Sequence, residues 1–171
     1  MNIDEKMLNV TNTLKNINTY DVNGFIAQLE YLVGQLEYFY GILVEKQGND
    51  PIKTYYKPKK RPIEGQIAYF NLTRGFPKET YDGHWCYILK DYGYKLVVIP
   101  ATSVKPCSSK LNSDFEFDIE IDNFGNNSIT RLQITDIRCI DIQRLYVKKP
   151  YYNVKTDKLL ITSKIKEILF S

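Results

Sequence analysis

The chain of 171 residues is 43% hydrophobic and 25% charged, with a formal net charge of +3. This composition is typical of a globular protein with one core and an appendage, and it argues against a disordered or fibrous chain. No run approaches the roughly 20 apolar residues that a membrane span needs. The N-terminus lacks the basic-then-apolar layout of a signal peptide. We therefore expect a cytoplasmic protein without a membrane partner.

The three cysteines, Cys86, Cys107 and Cys139, are odd in number and widely spaced. They form no CxxC pair, which argues against a disulfide framework and against a zinc site. We interpret all three as core thiols.

Charge is distributed unevenly along the chain. Residues 1–50 carry three basic and seven acidic side chains, a net charge of −4, whereas residues 51–171 carry twenty and thirteen, a net charge of +7. A basic body is compatible with a polyanionic partner, although an ordinary solvated surface accounts for it equally well.

The segment 22–46 predicts an amphipathic helix. Its apolar positions recur at alternating steps of four and three, which is the stripe of a helix that packs on another helix: Phe25, Leu29, Leu32, Leu36, Phe39 and Leu43. Asp21 is placed to cap its start and Gly48 its end. A second amphipathic segment at 4–17 predicts a helical hairpin in an N-terminal extension, residues 1–48. Such a stripe indicates intramolecular or dimer packing, with a docking helix for a partner as the alternative.

Residues 49–62 predict a linker, because their prolines prevent a helix from continuing. Tyr55 and Tyr56 are interleaved with five basic residues. Tyrosines would stack on bases and the cations would neutralise phosphates. A solubilising linker is the simpler interpretation.

Beyond residue 63 the pattern favours short strands separated by Gly, Asn and Asp turns. The predicted strands are 66–72, 85–90, 94–100, 115–121, 131–134 and 137–142, with 122–127 as a hairpin connection. Residues 156–170 predict a closing helix with Thr156 as its N-cap. Many short strands and one late helix predict an α+β fold with a small curled β barrel.

The stretch 79–89, "ETYDGHWCYIL", holds the only histidine and the only tryptophan of the chain, His84 and Trp85. Histidine exchanges a proton near neutral pH, so His84 is a candidate acid–base group. By itself a lone histidine specifies no reaction, and His84 equally well starts a strand.

Three further segments give this region a context. In chain order they are "GQIAYFNL" at 65–72, "VIPATS" at 98–103 and "DIRCIDIQRL" at 136–145. Together with the polar loop that leads to His84, this order resembles the MazF/PemK family of toxin endoribonucleases. The resemblance covers about residues 63–170, which defines residues 63–171 as the toxin-like domain, and it leaves 1–60 unexplained.

The resemblance implies an SH3-like β barrel with a C-terminal helix, usually dimeric and neutralised by an antitoxin. It also implies cleavage of single-stranded RNA, namely mRNA, at short sequences. This cleavage would need neither a metal nor a cofactor. In that family the substrate's 2′-hydroxyl attacks the adjacent phosphate, leaving 2′,3′-cyclic phosphate and 5′-hydroxyl ends. Such a reaction needs a base, an acid and donors to the charged phosphorane.

Carried over onto this sequence, the resemblance assigns roles to particular residues. His84 occupies the place of the family's catalytic arginine, with Trp85 in place of the following proline. Thr102 matches the catalytic threonine or serine of the third strand, and Ser103 is the alternative for that role. We interpret His84 as general acid or base and Thr102 as a hydrogen-bond donor to the scissile phosphate.

If His84 has replaced an arginine, another group must supply positive charge. Arg74 and Lys78 in the preceding loop, residues 73–78, are candidates, although two solvated loop charges are an equally good interpretation. Glu79 would orient His84 or cap the loop, and Tyr81 would stack on a base, whereas Trp85 suits the core better.

The late segment 136–145 is interpreted as structural. Its alternation predicts that Ile137 and Cys139 point inward and Arg138 outward. A competing interpretation of the whole chain is a non-catalytic module on the same barrel that binds nucleic acid or a protein, for example as a topoisomerase poison or a regulator.

Overall fold

The computed structural model describes residues 2–125 and 129–171, so part of the predicted connection 122–127 lies outside the described residues. Helix α1 spans Ile3–Lys15 and α2 spans Val22–Leu36, followed directly by a π-helical segment, Glu37–Lys46. The strands are β1 Gln66–Asn71, β2 Gly83–Asp91, β3 Lys95–Ser103, β4 Glu116–Glu120, β5 Ile129–Gln133, β6 Arg138–Asp141 and β7 Tyr152–Asn153. Short 3-10 turns cover Ile134–Asp136 and Ile142–Arg144, and α3 spans Lys158–Phe170.

The N-terminal helices, which we call the arm (residues 2–46), begin where the sequence predicts. The Asp21 carboxylate accepts a hydrogen bond from the Gly24 amide at 2.9 Å, which confirms the predicted N-cap of α2. At the far end the Gln47 amide donates to the Ile42 carbonyl at 3.1 Å, a five-residue step that is the mark of a π-helix. Within the described residues, the arm contributes no buried side chain.

The strands form one antiparallel sheet in the order β4-β5-β3-β2-β1-β7, with β6 paired to the first half of β3. The sheet curls, because Ile121 beyond β4 forms a bridge with Val154 beyond β7. The Glu120 amide also donates to the Thr156 hydroxyl at 2.8 Å across this closure. The predicted α+β class, with its curled sheet and C-terminal helix, is confirmed.

Each face of the sheet carries an apolar core. On the face covered by α3, the α3 face, the core includes Tyr87, Ile99, Leu132, Ile161 and Ile165. On the other, the linker face, it includes Phe70, Cys86, Ile88, Val98 and Ile140, with Tyr55 and Tyr56 packed against it. Burial of each large apolar side chain contributes about 1.5–3 kcal/mol to the stability of the folded state.

Two local predictions were wrong. The N-cap of α3 is Asp157, whose carboxylate accepts from the Leu159 amide at 2.7 Å, because the Thr156 hydroxyl is taken by Glu120. Among the cysteines, Cys86 alone is a core thiol, since Cys107 and Cys139 are exposed.

Residues 49–62 lie against the sheet. Arg61 Nε donates to Asp91 Oδ2 at 2.8 Å, and this contact holds the pKa of the Asp91 carboxyl below its usual value. The Tyr151 hydroxyl donates to the Lys60 carbonyl at 3.0 Å.

Among the described residues, no helix combines the length and apolar character that crossing a membrane requires.

Candidate functional site

His84 lies near the start of β2, opposite Phe70 of β1, and alternation places it on the linker face with Cys86. Its Nδ1 atom is buried, and no group in the described part of the chain forms a hydrogen bond with it. Buried polar atoms are nearly always hydrogen-bonded, so an unpartnered imidazole nitrogen calls for an explanation. The atom is closed to solvent, so a substrate cannot contact it in this arrangement of the ring.

Strand register places His84 in a line of polar side chains. Trp85 pairs with Ala101, so one further step along the two strands sets His84 opposite Thr102. Thr102 in turn pairs with Arg131 of β5, and Arg131 pairs with Asp118 of β4. Directly opposite residues share a face, with Cβ atoms about 5 Å apart. His84, Thr102 and Arg131 therefore form one row across three adjacent strands, which we call the His84 row.

Arg131 is the member of the row that sequence reasoning missed. Its side chain is buried, and it donates from Nε to Asp118 Oδ1 at 2.7 Å and from Nη1 to the Ser109 carbonyl at 2.8 Å. The Asp118 carboxylate raises the pKa of Arg131, with Glu116 3.6 Å away as a second acid. The guanidinium is thus fixed beside Thr102 and largely neutralised.

A shallow cavity of about 130 Å³ opens next to Arg131. Thr102 and Ser103 both line it, together with Ser108 and Ser109 of the following loop. Thr102 is exposed, so its hydroxyl is accessible to a ligand. Ser103 pairs with Thr130 on the α3 face, so it lies beside the His84 row and is not a member of it.

Arg138 also belongs to this face, contrary to the predicted alternation. Cys139 is exposed and Ile140 is buried, so Arg138 shares the side of Ile140 and pairs with Val98. Burial raises the pKa of the Cys86 thiol, and the charge of Arg138 opposes that rise. The charge of Arg138 therefore acts on Cys86, and the register places Arg138 beside Val98, four residues from Thr102 along β3.

Arg138 is held more loosely than Arg131. Its Nε donates to the Asp136 carbonyl at 3.2 Å, and its Nη2 lies 4.0 Å from the Asp136 carboxylate. The side chain is 28% exposed, against 8% for Arg131. Of the two arginines, Arg138 is the freer to move its charge toward a ligand.

Arg74, predicted as the catalytic cation, is engaged in a different contact. Its Nε donates to Asp82 Oδ1 at 3.0 Å and its Nη1 to Asp21 Oδ2 at 3.1 Å, and these carboxylates raise its pKa. The guanidinium also lies 5.0 Å from the Tyr81 ring centroid and 5.8 Å from that of Tyr20. Arg74 thus joins the β1–β2 loop to the start of α2.

The other predicted loop residues are dispersed. Glu79 Oε2 accepts from the Phe76 amide at 3.0 Å, so Glu79 caps a turn of its own loop. Lys78 is exposed, and Tyr81 stacks on Arg74.

A separate contact fixes the end of this loop. The Thr80 amide donates to Asp136 Oδ2 at 2.9 Å, and Asp136 is the residue that also contacts Arg138. The loop therefore ends beside the loosely held arginine.

Trp85 points to the α3 face, away from His84. Its ring makes edge-on contacts with Tyr69, Phe124 and Tyr152 at centroid distances of 5.0–5.4 Å. The Lys149 ammonium lies 3.5 Å from the Tyr69 centroid and 5.4 Å from that of Trp85. Trp85 thus belongs to an aromatic cluster at the mouth of the core.

Comparison with protein-family models gives no match for this chain, and comparison with curated proteins gives none either.

Proposed function

We propose that the protein is a metal-independent endoribonuclease of MazF/PemK type, built on an SH3-like barrel, that cleaves single-stranded RNA. The His84 row supports this proposal best, because the β2–β3 register, extended by one step, sets an imidazole opposite an exposed hydroxyl on one face.

In this proposal the row carries out transesterification at phosphorus. His84 takes the proton from the 2′-hydroxyl, whose oxygen attacks the adjacent phosphate, and the bond to the 5′-oxygen breaks as that oxygen takes a proton from water. The Thr102 hydroxyl donates a hydrogen bond to a phosphate oxygen. Arg138 supplies the positive charge for the phosphorane, since its guanidinium is less tightly held than that of Arg131. The products carry 2′,3′-cyclic phosphate and 5′-hydroxyl ends.

Two partners complete the proposal. We expect a homodimer, and we expect a separately encoded antitoxin that inhibits by covering the linker face at the His84 row. The Arg74 contact with Asp21 ties the arm to the loop beside this face, so the arm is placed to influence access.

Cleavage of a mixed-sequence single-stranded RNA in EDTA tests the assignment of Thr102. Thr102→Val should lower the rate about 10- to 100-fold, because one hydrogen bond to the developing charge is lost. Thr135→Val, at an exposed threonine of the 3-10 turn, is the matched control and should cleave like the wild type. Equal rates for the two variants would overturn the role of Thr102.

One observation favours a second candidate, a nucleic-acid- or protein-binding module without catalysis. Arg131 faces two carboxylates, Asp118 and Glu116, and this neutralised environment disfavours a second anion beside Thr102. A module of this kind would retain RNA without cleaving it, and its binding would not depend on His84.

A further inference from the structure

A cavity of about 690 Å³ lies between the arm and the body of the protein. On the arm side it is bounded by α2 and the π-helical segment, and on the body side by the 3-10 turn Ile142–Arg144 and the linker. The Gln143 side-chain amide donates to the Gln35 carbonyl at 2.7 Å, so a direct contact joins the two walls. We call this space the arm cavity, and it is distinct from the His84 row.

Aromatic rings from four separate segments line the arm cavity. They come from α2, the π-helical segment, the linker and the β2–β3 turn: Tyr31, Phe39, Tyr40, Tyr55 and Tyr94. Tyr55 and Tyr94 lie 6.3 Å apart between ring centroids. Rings gathered on several sides of a cavity of this size are typical of a site for a planar ligand.

The π-helical segment supplies two of these rings, Phe39 and Tyr40. A π-helix is rare, usually a single turn, and occurs often at functional sites. Here it extends over 10 residues directly after a regular α-helix. The change of helical step redirects the side chains of its first turn, and that turn is the one that faces the cavity.

The charge around the arm cavity is positive. Lys53 and Arg144 line it, and two more ammonium groups lie over its rings: Lys57 at 5.3 Å from the Tyr55 centroid and Lys95 at 5.5 Å from that of Tyr94. Of the described lining residues, Asp141 alone is acidic, and the Asp50 carboxylate, outside the lining, lies 3.6 Å from the Lys53 ammonium. The guanidinium of Arg144 donates from Nη1 to the Asn71 carbonyl at 3.3 Å, its one hydrogen bond to a described residue, and such a long contact leaves it available to an anion.

We infer that the arm cavity binds a nucleotide, with its base against the tyrosine rings and its phosphate at Lys53 and Arg144. Stacked bases and paired phosphates are the two contacts by which proteins hold nucleotides without regard to sequence. The nucleotide is either free in solution or one residue of a single-stranded RNA. The inference does not depend on the ribonuclease activity.

Calorimetric titration of the full chain tests it with defined probes. These are the four ribonucleoside 5′-monophosphates, adenosine, inorganic phosphate and a single-stranded RNA oligonucleotide. Tyr40→Ala removes one ring and should weaken nucleotide binding about tenfold, the loss expected for one stacking contact. Tyr92→Ala is the matched control, because Tyr92 is 55% exposed, like Tyr40 at 53%, and lies outside the cavity.

The probes separate the two sources of the nucleotide. Monophosphate binding that Tyr40→Ala weakens and Tyr92→Ala does not supports a free nucleotide, whereas the same contrast with the oligonucleotide alone supports an RNA residue. Equal effects of the two variants on every probe, or inorganic phosphate binding as tightly as the monophosphates, would overturn the inference.

The same titration with His84→Ala keeps this inference separate from the proposed reaction. Binding should be unchanged, because His84 does not line the cavity. Nucleotide binding by a wild-type protein that cleaves no RNA would support the arm cavity and refute only the ribonuclease. Binding lost in His84→Ala and kept in Tyr40→Ala would place the nucleotide at the row and refute the arm cavity.

Discussion

Glu64 anchors the C-terminal helix to the sheet through three contacts with its carboxylate. Lys90 Nζ lies 3.0 Å from Oε1 and Lys158 Nζ 3.0 Å from Oε2, and the Asp91 amide donates to Oε1 at 3.2 Å. The Lys90 ammonium, followed by that of Lys158, lowers the pKa of Glu64 from 4.5 to about 2. Glu64→Gln removes the charge and retains the size of the side chain.

The stability lost in Glu64→Gln follows from the pKa shift of Glu64 and from the exposure of its two lysine partners. A displacement from 4.5 to about 2 corresponds to about 3.4 kcal/mol if it is converted fully. Both lysine side chains are 53% exposed, and solvent reduces such pairs to about 0.5 kcal/mol each. We therefore expect Glu64→Gln to lower the free energy of unfolding by about 1 kcal/mol at pH 7.

The effect depends on pH in a defined direction. Because the pKa of Glu64 is lower in the folded state, its contribution is complete above pH 4.5 and is lost as the pH falls toward about 2. Urea unfolding followed by circular dichroism at pH 7, 4 and 2.5 measures it. Glu120→Gln, at an exposed carboxylate of β4, is the control. A difference between wild type and Glu64→Gln that is as large at pH 2.5 as at pH 7 would refute the reasoning.

Three further predictions concern single side chains, each measured by urea unfolding. Tyr87→Phe should stabilise the protein by up to about 1 kcal/mol, because it removes a buried hydroxyl that no described group satisfies. Gly83→Ala should lower the free energy of unfolding by about 1–3 kcal/mol, since the new Cβ would lie 2.7 Å from ring carbons of Tyr69. Gly34→Ala should raise the free energy of unfolding by about 0.5–1 kcal/mol, because alanine favours helix α2 and no described atom lies within 4 Å of the added Cβ. A change in the free energy of unfolding of the opposite sign would contradict the prediction for that variant.

Elements governed by local pattern were predictable from the sequence. The apolar stripe of 22–46 and the capping carboxylate of Asp21 identified α2 correctly, because both signals lie within a few residues of their effect. The π-helical segment was not predictable, since the same stripe suits an α-helix. The apolar stripe also gave no sign that the arm would remain unburied.

Features that depend on distant contacts were not predictable. Thr156 and Asp157 are both good N-caps, and the choice is decided by the Glu120 amide, which occupies the Thr156 hydroxyl from another strand. Arg131 became a candidate only through the register of β5 on β3, which no local signal specifies. Arg138 was placed on the wrong face because the alternation was started from Ile137.

In the proposed function His84 carries out RNA cleavage without a metal. The most direct test is to incubate wild type and His84→Ala with single-stranded RNA in EDTA and to determine the fragment ends by mass spectrometry. We predict 2′,3′-cyclic phosphate and 5′-hydroxyl ends from the wild type, with the rate at least about 100-fold lower in His84→Ala. Intact RNA with the wild-type protein, or the same fragments at the same rate from His84→Ala, would contradict the account.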